Sequence, residues 1–268
     1  MQKTAIIVPC YNEGRRLRSR EFVESTTTNR DLHFIFVDDG STDETQEKLI
    51  GICRDNPAQC HWIALERNSG KAEAVRKGFL EALRSDFPNI GYWDADLATP
   101  LSAIPTFCDI LDRPGVSMVI GSRVRLLGRK VERRAVRHYL GRIFATTASL
   151  VLGLPVYDTQ CGAKIFKRRT DVEMVFRKPF SLKWTFDVEI LARLLMVERF
   201  SGTGSLRNSG VEYPLEEWSD IPGSKIKPID FLVGMIDLLK ILFFLRAPGA
   251  ERRFLDLSTG SGPARRAP

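Results

Sequence analysis

No stretch of this sequence reaches the ~18–20 charge-free apolar residues that a membrane-spanning helix needs, so none is expected. The 5 cysteines, Cys10, Cys53, Cys60, Cys108 and Cys161, show no CxxC spacing, which excludes a zinc site of the usual kind. Their number is odd, and no signal peptide precedes the first strand-like run. Reduced thiols in a cytosolic compartment are the expectation. There is no internal repeat, and the Gly-rich spacing of a Walker motif is absent.

What is there is an ordinary globular balance. The 268 residues are 43% hydrophobic and 27% charged, enough for one large α/β domain or two small ones. The net charge of +7 fits a polyanionic partner: nucleotides, nucleic acid or an anionic membrane surface. It fits equally a surface that only aids solubility.

The chain centres on Ile90-Gly-Tyr-Trp-Asp94-Ala95-Asp96, an apolar run ending in two carboxylates one residue apart. Successive strand residues face opposite sides, so Asp94 and Asp96 converge only where the strand turns. Two carboxylates meeting there repel unless a cation lies between them. Hard oxygen ligands suit Mg²⁺ or Mn²⁺ shared with substrate phosphates. A solvated acidic turn fits too, because Asp-x-Asp is common by chance.

The other polar clusters follow the same pattern. Thr4-Ala-Ile-Ile-Val-Pro9 reads as a buried strand, broken by Cys10-Tyr11-Asn12-Glu13-Gly14. His33-Phe-Ile-Phe-Val37 ends in Asp38-Asp39-Gly40-Ser41-Thr42-Asp43, where Ser41 or Thr42 is expected to cap a helix with Glu44 in its first turn. Cys60-His-Trp-Ile-Ala-Leu65 precedes Arg67-Asn68-Ser69-Gly70-Lys71, then a helix to about residue 84; a Gly and a Lys at a helix start suit an anion. Pro100 and Leu101 open another helix, and Ser117-Met-Val-Ile-Gly-Ser122 is a fifth strand ending at Arg123. Strands therefore alternate with helices, and the clusters fall at strand C-terminal ends, where a doubly wound sheet holds its ligand.

Taken in order, Pro9-Cys-Tyr11-Asn12-Glu13, Val37-Asp38-Asp39-Gly40-Ser41, Asn68-Ser-Gly70-Lys71 and Asp94-Ala95-Asp96 resemble the motifs of family 2 inverting glycosyltransferases with the GT-A fold. The likeness continues through Gly121-Ser122-Arg123, Asp158-Thr-Gln-Cys-Gly162-Ala-Lys164, Trp184-Thr-Phe-Asp187-Val-Glu189 and Gly223-Ser224-Lys225. Over residues 3–245 it is similar to the polyprenyl-phosphate sugar synthases, especially the dolichyl-phosphate glucosyltransferase branch. The resemblance implies transfer of glucose from UDP-glucose to a polyprenyl phosphate with inversion. It implies a nucleotide-sugar site of Pro9, Tyr11, Glu13, Asp38, Asp39, Asn68, Lys71, Asp94, Ala95, Asp96 and Trp184. Asp94 and Asp96 would hold Mg²⁺ or Mn²⁺, and Arg123, Arg133, Arg137 and Lys225 the acceptor phosphate. Asp96, Asp158 and Arg123 would be the catalytic residues, with Trp184 either stacking on the sugar or packing.

Two departures are notable. The mannosyl branch has a Gln shortly after Asp-x-Asp, where Leu97-Ala98-Thr99 stands here. This favours glucose over GDP-mannose and thins the metal shell. The glucosyl branch also usually carries an N-terminal anchor, which this chain lacks. A hydroxyl acceptor would instead need a base, Asp158 or Asp187. A nucleotidyltransferase is disfavoured by the missing Gly-rich, Arg-Lys loop. A receiver-like module, suggested by Val37-Asp38-Asp39, would be about half this size.

Residues 124–156 are basic, then apolar, resembling a helix hairpin on a membrane; a core helix with a cationic cap is the alternative. Residues 231–245 are apolar except Gly234, Asp237 and Lys240, a narrow polar seam on an interfacial helix too short and charged to span a bilayer. The expected fold is α/β: a GT-A, mixed and mainly parallel sheet flanked by helices, with amphipathic C-terminal helices at the membrane interface. The catalytic domain spans 1–225, the interfacial region 226–257 and a disordered tail 258–268. The expected location is peripheral, on the cytoplasmic membrane face, with no nucleic-acid partner.

Overall fold

Alternation along the first strand sets up both cores of the molecule. In β1 (Thr4–Cys10), Ala5 and Ile7 face one side of the sheet, while Ile6, Val8 and Cys10 face the other. β2 (Leu32–Asp38) repeats the division with Ile35 and Val37 against Phe34 and Phe36. The computed structural model describes residues 1–132, 135–202, 206–219, 228–247 and 249, with side chains at 132–138 and 228–230 outside that description.

The chain continues from β1 through α1 (Ser19–Thr28), β2, α2 (Thr45–Asp55), β3 (Cys60–Ala64), α3 (Lys71–Ala82), β4 (Asn89–Trp93), α4 (Ala103–Leu111) and β5 (Met118–Ser122). Then come β6 (Lys130–Glu132), α5 (Ala135–Leu152), β7 (Ala163–Lys167), α6 (Thr170–Arg177) and α7 (Phe186–Ser201). The short α8 (Leu206–Ser209), β8 (Gly210–Pro214), β9 (Glu217–Ser219) and α9 (Pro228–Arg246) complete it.

Seven strands form one sheet in the order β3-β2-β1-β4-β7-β5-β8. All run parallel except β7, which is antiparallel to both neighbours. β6 and β9 pair separately. Helices α1, α2 and α4 cover one face, and α3, α5, α6, α7 and α9 the other. The mixed, mostly parallel sheet flanked by helices is the expected GT-A architecture. Strand β7 has no counterpart in the sequence reading, because Lys164 interrupts its short apolar run.

Among its described residues segment 124–156 forms no helix hairpin. Arg123 and the residues after it make a loop, β6 follows, and the apolar part is the single helix α5, packed against α9. Two positions of the α9 seam, Gly234 and Asp237, point inward, while Lys240 is exposed and pairs with Asp237 at 2.8 Å. Asp237 is buried and accepts a hydrogen bond from Thr185 Oγ1 at 3.0 Å, and Gly234 faces Trp184. Leu238 and Ile241 of α9 are buried with them, and one apolar side of the helix is left outward: Leu232, Val233, Ile236, Leu239 and Phe243 are exposed, Phe243 at 73%. On α5, Tyr139, Leu140, Ile143 and Leu150 are also exposed.

Candidate active site

The C-terminal ends of β1 to β5 and the entry to β7 share one rim, and side-chain bonds join their loops. Asn12, at φ 49°, donates its N–H to Ser41 Oγ at 2.9 Å and accepts from the Thr42 N–H at 2.8 Å. The Glu13 N–H donates to Thr45 Oγ1 at 2.8 Å, and the Gly14 N–H to Asp43 Oδ2 at 3.0 Å. Ser41 and Thr42 therefore serve this cross-link and do not cap α2, whose N-cap position is Glu44; Asp43, just before it, accepts the Thr45 N–H at 3.0 Å. Glu13 is buried, with its carboxylate on Arg16. Tyr11 lies half-buried beside it.

Asp38 and Asp39 are both buried. Asp38 accepts the Ser41 N–H at 3.0 Å. Asp39 accepts the N–H groups of Ser69 and Gly70 at 2.7 and 2.8 Å, which fixes the loop entering α3. Burial raises the Asp39 carboxyl above the usual range despite these two donors. The adjacent acids thus have a scaffolding role that the sequence reading did not include.

Asp94 and Asp96 flank the sharp turn after β4. Leu97 takes φ 53°, a left-handed conformation uncommon for a side chain of this kind. Asp96 Oδ1 accepts the Ala98 N–H at 3.1 Å. Lys71, the first residue of α3, sets Nζ 2.5 Å from Asp94 Oδ1. A Cβ on Gly162 would lie 1.9 Å from Asp94 Oδ2, so the absence of a side chain there makes the cradle for this carboxylate. Burial first, then repulsion from Asp94, raises the Asp96 carboxyl. Burial alone would lower the Lys71 ammonium, but Asp94, Asp187 and Asp96 outweigh it and hold it above the ordinary lysine value. Among the described residues no third His, Cys, Asp or Glu completes a metal cluster. Two mutually repelling carboxylates fit a hard dication that takes its remaining ligands from phosphate and water.

Beneath this pair lies a buried network. Lys164, with no exposed surface, donates to Asp187 Oδ1 and to the Cys161 carbonyl at 2.6 Å; the Tyr92 hydroxyl donates to the same Asp187 oxygen. Asp187 is therefore held by a cation, not poised as a base. Glu189 is likewise structural: it pairs with buried Arg193 and accepts the Ser181 and Leu182 N–H groups at 3.1 and 2.8 Å.

On the other side of β4, Arg123 and Asp158 form a bidentate pair, Nε–Oδ2 at 2.6 Å and Nη2–Oδ1 at 2.7 Å. Glu212 supports it by accepting the N–H groups of Tyr157 and Asp158 at 2.7 and 2.6 Å. Burial raises the Glu212 carboxyl, and Asp158 adds to that. The sequence reading missed Tyr92 and Glu212, and quoted Gly162 and Lys164 without a role. A lysine inside an apolar strand was the available signal for one of them.

Pro9 and Ala95 are backbone-level members of the rim, at the ends of β1 and beyond β4. Asn68 is exposed on the loop before α3. Trp184 stands between α5 and α9, its ring edge-to-face with Phe144 at 5.5 Å and against Gly234. Of the expected acceptor cations only Arg123 is seen: Arg133 and Lys225 lie outside the described residues, as does the side chain of Arg137. All five cysteines are free, and burial pushes the Cys60 thiol up to about 12.

A family model described as glycosyl transferase family 2 matches residues 5–174. Similar proteins include the dolichyl-phosphate beta-glucosyltransferase of Saccharomyces cerevisiae, 28% identical across 90% of this chain and 73% of the relative. The one from Drosophila melanogaster is 30% identical across 84% and 69%, and that of Homo sapiens 28% across 91% and 75%. Among solved structures, glucosyl-3-phosphoglycerate synthase from Mycobacterium tuberculosis, in complex with Mn²⁺, uridine-diphosphate and glucosyl-3-phosphoglycerate, superposes with a TM-score of 0.61. It is 18% identical and covers 91% of this chain and 80% of that one, a likeness of fold.

Proposed function

The chain belongs to glycosyl transferase family 2 and is a glycosyltransferase; from that premise we propose that it moves glucose from UDP-glucose to the phosphate of a polyprenyl lipid, with inversion. One observation carries the choice of acceptor. Asp158 and Asp187, the acids a hydroxyl acceptor would need as base, are both ion-paired, to the largely buried Arg123 and the fully buried Lys164. A phosphate monoester is a nucleophile at neutral pH and needs no such base.

In this reading Tyr11, Glu13, Asp38 and Asp39 bound the uridine side of the rim, with Pro9, Asn68 and Ala95 beside them. Asp94 and Asp96 hold Mg²⁺ or Mn²⁺, which when bound supplies Lewis-acid charge neutralisation to the departing diphosphate. Lys71 reaches the diphosphate, and Trp184 bounds the sugar side. Arg123, fixed by Asp158, orients the acceptor phosphate together with Arg133, Arg137 and Lys225. Attack from the face opposite the diphosphate inverts the anomeric centre. A calorimetric titration with Mn²⁺ present is expected to give tighter binding of UDP-glucose than of GDP-mannose, the alternative donor. The reverse order would reject the glucose assignment.

The lipid must be met at the headgroup level. The exposed apolar sides of α5 and α9 support a peripheral attachment at the cytoplasmic membrane face, with 1–225 as the catalytic part and 226–257 as the attachment. Among the described residues no helix is long and apolar enough to cross a bilayer. Each basic residue near an anionic leaflet contributes about 1 kcal/mol, and salt screens it. Flotation with anionic vesicles is expected at low salt and reduced at high salt. No flotation at low salt contradicts the attachment, and flotation that survives alkaline carbonate means an integral one.

A further inference from the structure

We propose that Lys71 is an exchange cation for the divalent ion: in the metal-free protein its ammonium occupies Asp94 in the ion's stead, and it passes to the donor diphosphate when the ion binds. This rests on the reading of Asp94 and Asp96 as metal ligands.

The position of Lys71 is the first argument. It opens α3, and the positive end of a helix dipole disfavours a cation in the first turn. Asp39 already takes the Ser69 and Gly70 N–H groups just before it, so Lys71 has no part in closing this helix end. What holds its charge there is Asp94, with Nζ 2.5 Å from Oδ1.

Second, of the two partners Lys71 has the longer reach and Asp94 the anchored backbone, with the side chains about equally exposed at 37% and 36%. The Lys71 side chain is 37% exposed and reaches out on a flexible stem, over the Phe186 ring at 5.8 Å. The Asp94 carboxylate sits in the cradle left by Gly162, and its backbone N–H is bonded to the Gly162 carbonyl at 3.0 Å. An ion arriving at Asp94 therefore meets a short side chain on an anchored backbone and displaces a long, flexible one. Lys164 is the contrast: fully buried and fixed on Asp187, it supplies the permanent counter-charge below the site, which leaves Lys71 free to leave.

The exchange gives two effects of opposite sign. Without nucleotide, the ammonium competes with the ion and keeps the empty site from closing around it. With nucleotide, the displaced ammonium meets the diphosphate, so ion and donor favour each other's binding.

The test is Mn²⁺ binding to the full chain, followed by electron paramagnetic resonance, with and without UDP, for the parent, Lys71→Gln and Lys71→Arg. Lys71→Gln is expected to bind Mn²⁺ alone about tenfold more tightly, the scale of one neighbouring charge, and to bind UDP about tenfold more weakly in saturating Mn²⁺. Lys71→Arg, which keeps the cation, is expected to bind Mn²⁺ alone close to the parent. Thermal melts report that the variants fold, with a larger Mn²⁺-induced rise for Lys71→Gln. Unchanged or weaker Mn²⁺ binding by a folded Lys71→Gln overturns the exchange while leaving the metal site standing. A parent that binds no Mn²⁺ even with UDP overturns both.

Discussion

Asp96→Asn is expected to abolish transfer and leave the fold intact. The loss should be at least about a thousandfold, since a bound dication contributes several kcal/mol to stabilising the leaving charge. The change is nearly isosteric, and the Asn oxygen can still accept the Ala98 N–H. It also removes one of two repelling acids. The Asp96 carboxyl lies above its ordinary value, so ionising it costs the folded state, and that cost grows as pH rises through its titration range. The variant should therefore be as stable as the parent in acid and equal or more stable at neutral pH. Turnover in saturating Mn²⁺ and thermal melts across pH measure both halves. Normal turnover would remove Asp96 from the metal site.

Arg123→Ala is expected to have the largest effect on stability. The guanidinium and the Asp158 carboxylate are both largely buried, at 14% and 9% side-chain exposure. Removing one member of such a pair leaves the other uncompensated, typically at about 3–5 kcal/mol. Here the remaining acid stands next to Glu212, whose carboxyl is already raised by burial and by Asp158. Without Arg123 both acids favour protonation in the folded state. The variant's stability should then be best in acid and fall as pH rises through the raised carboxylate range, so the gap to the parent widens towards neutrality. Chemical denaturation at several pH values tests this. A loss below about 1 kcal/mol at neutral pH, the range of an exposed ion pair, would contradict the burial argument.

Much of the fold could be read from the sequence because strands announce themselves by apolar runs. The runs at Thr4–Cys10, Leu32–Asp38 and Asn89–Trp93 were legible, as was the fall of each polar cluster at a strand end. Strand β7 was not, since Lys164 breaks its pattern, and only the Tyr92–Asp187–Lys164 contacts explain a charge there. Pattern also gave α9 its polar seam, but a seam does not say which way it faces. The partner that turns Asp237 inward, Thr185, is 52 positions away. In the site, residue types and their order were legible, whereas pairings were not. Nothing in the spacing of Arg123 and Asp158, or of Lys71 and Asp94, predicts an ion pair. Asp38 and Asp39 read as ligand-facing acids, yet their bonds to Ser41, Ser69 and Gly70 hold the rim together.

The most direct measurement is a competition of donors for one acceptor. Purified protein with Mn²⁺ receives equal UDP-glucose and GDP-mannose and a short polyprenyl phosphate, and the product is identified by mass and by the anomeric coupling in its proton spectrum. The account predicts a β-linked glucosyl phosphate that disappears when the metal is chelated. Hexose on a hydroxyl, mannose in preference to glucose, retained anomeric configuration, or transfer that persists without metal would each contradict it.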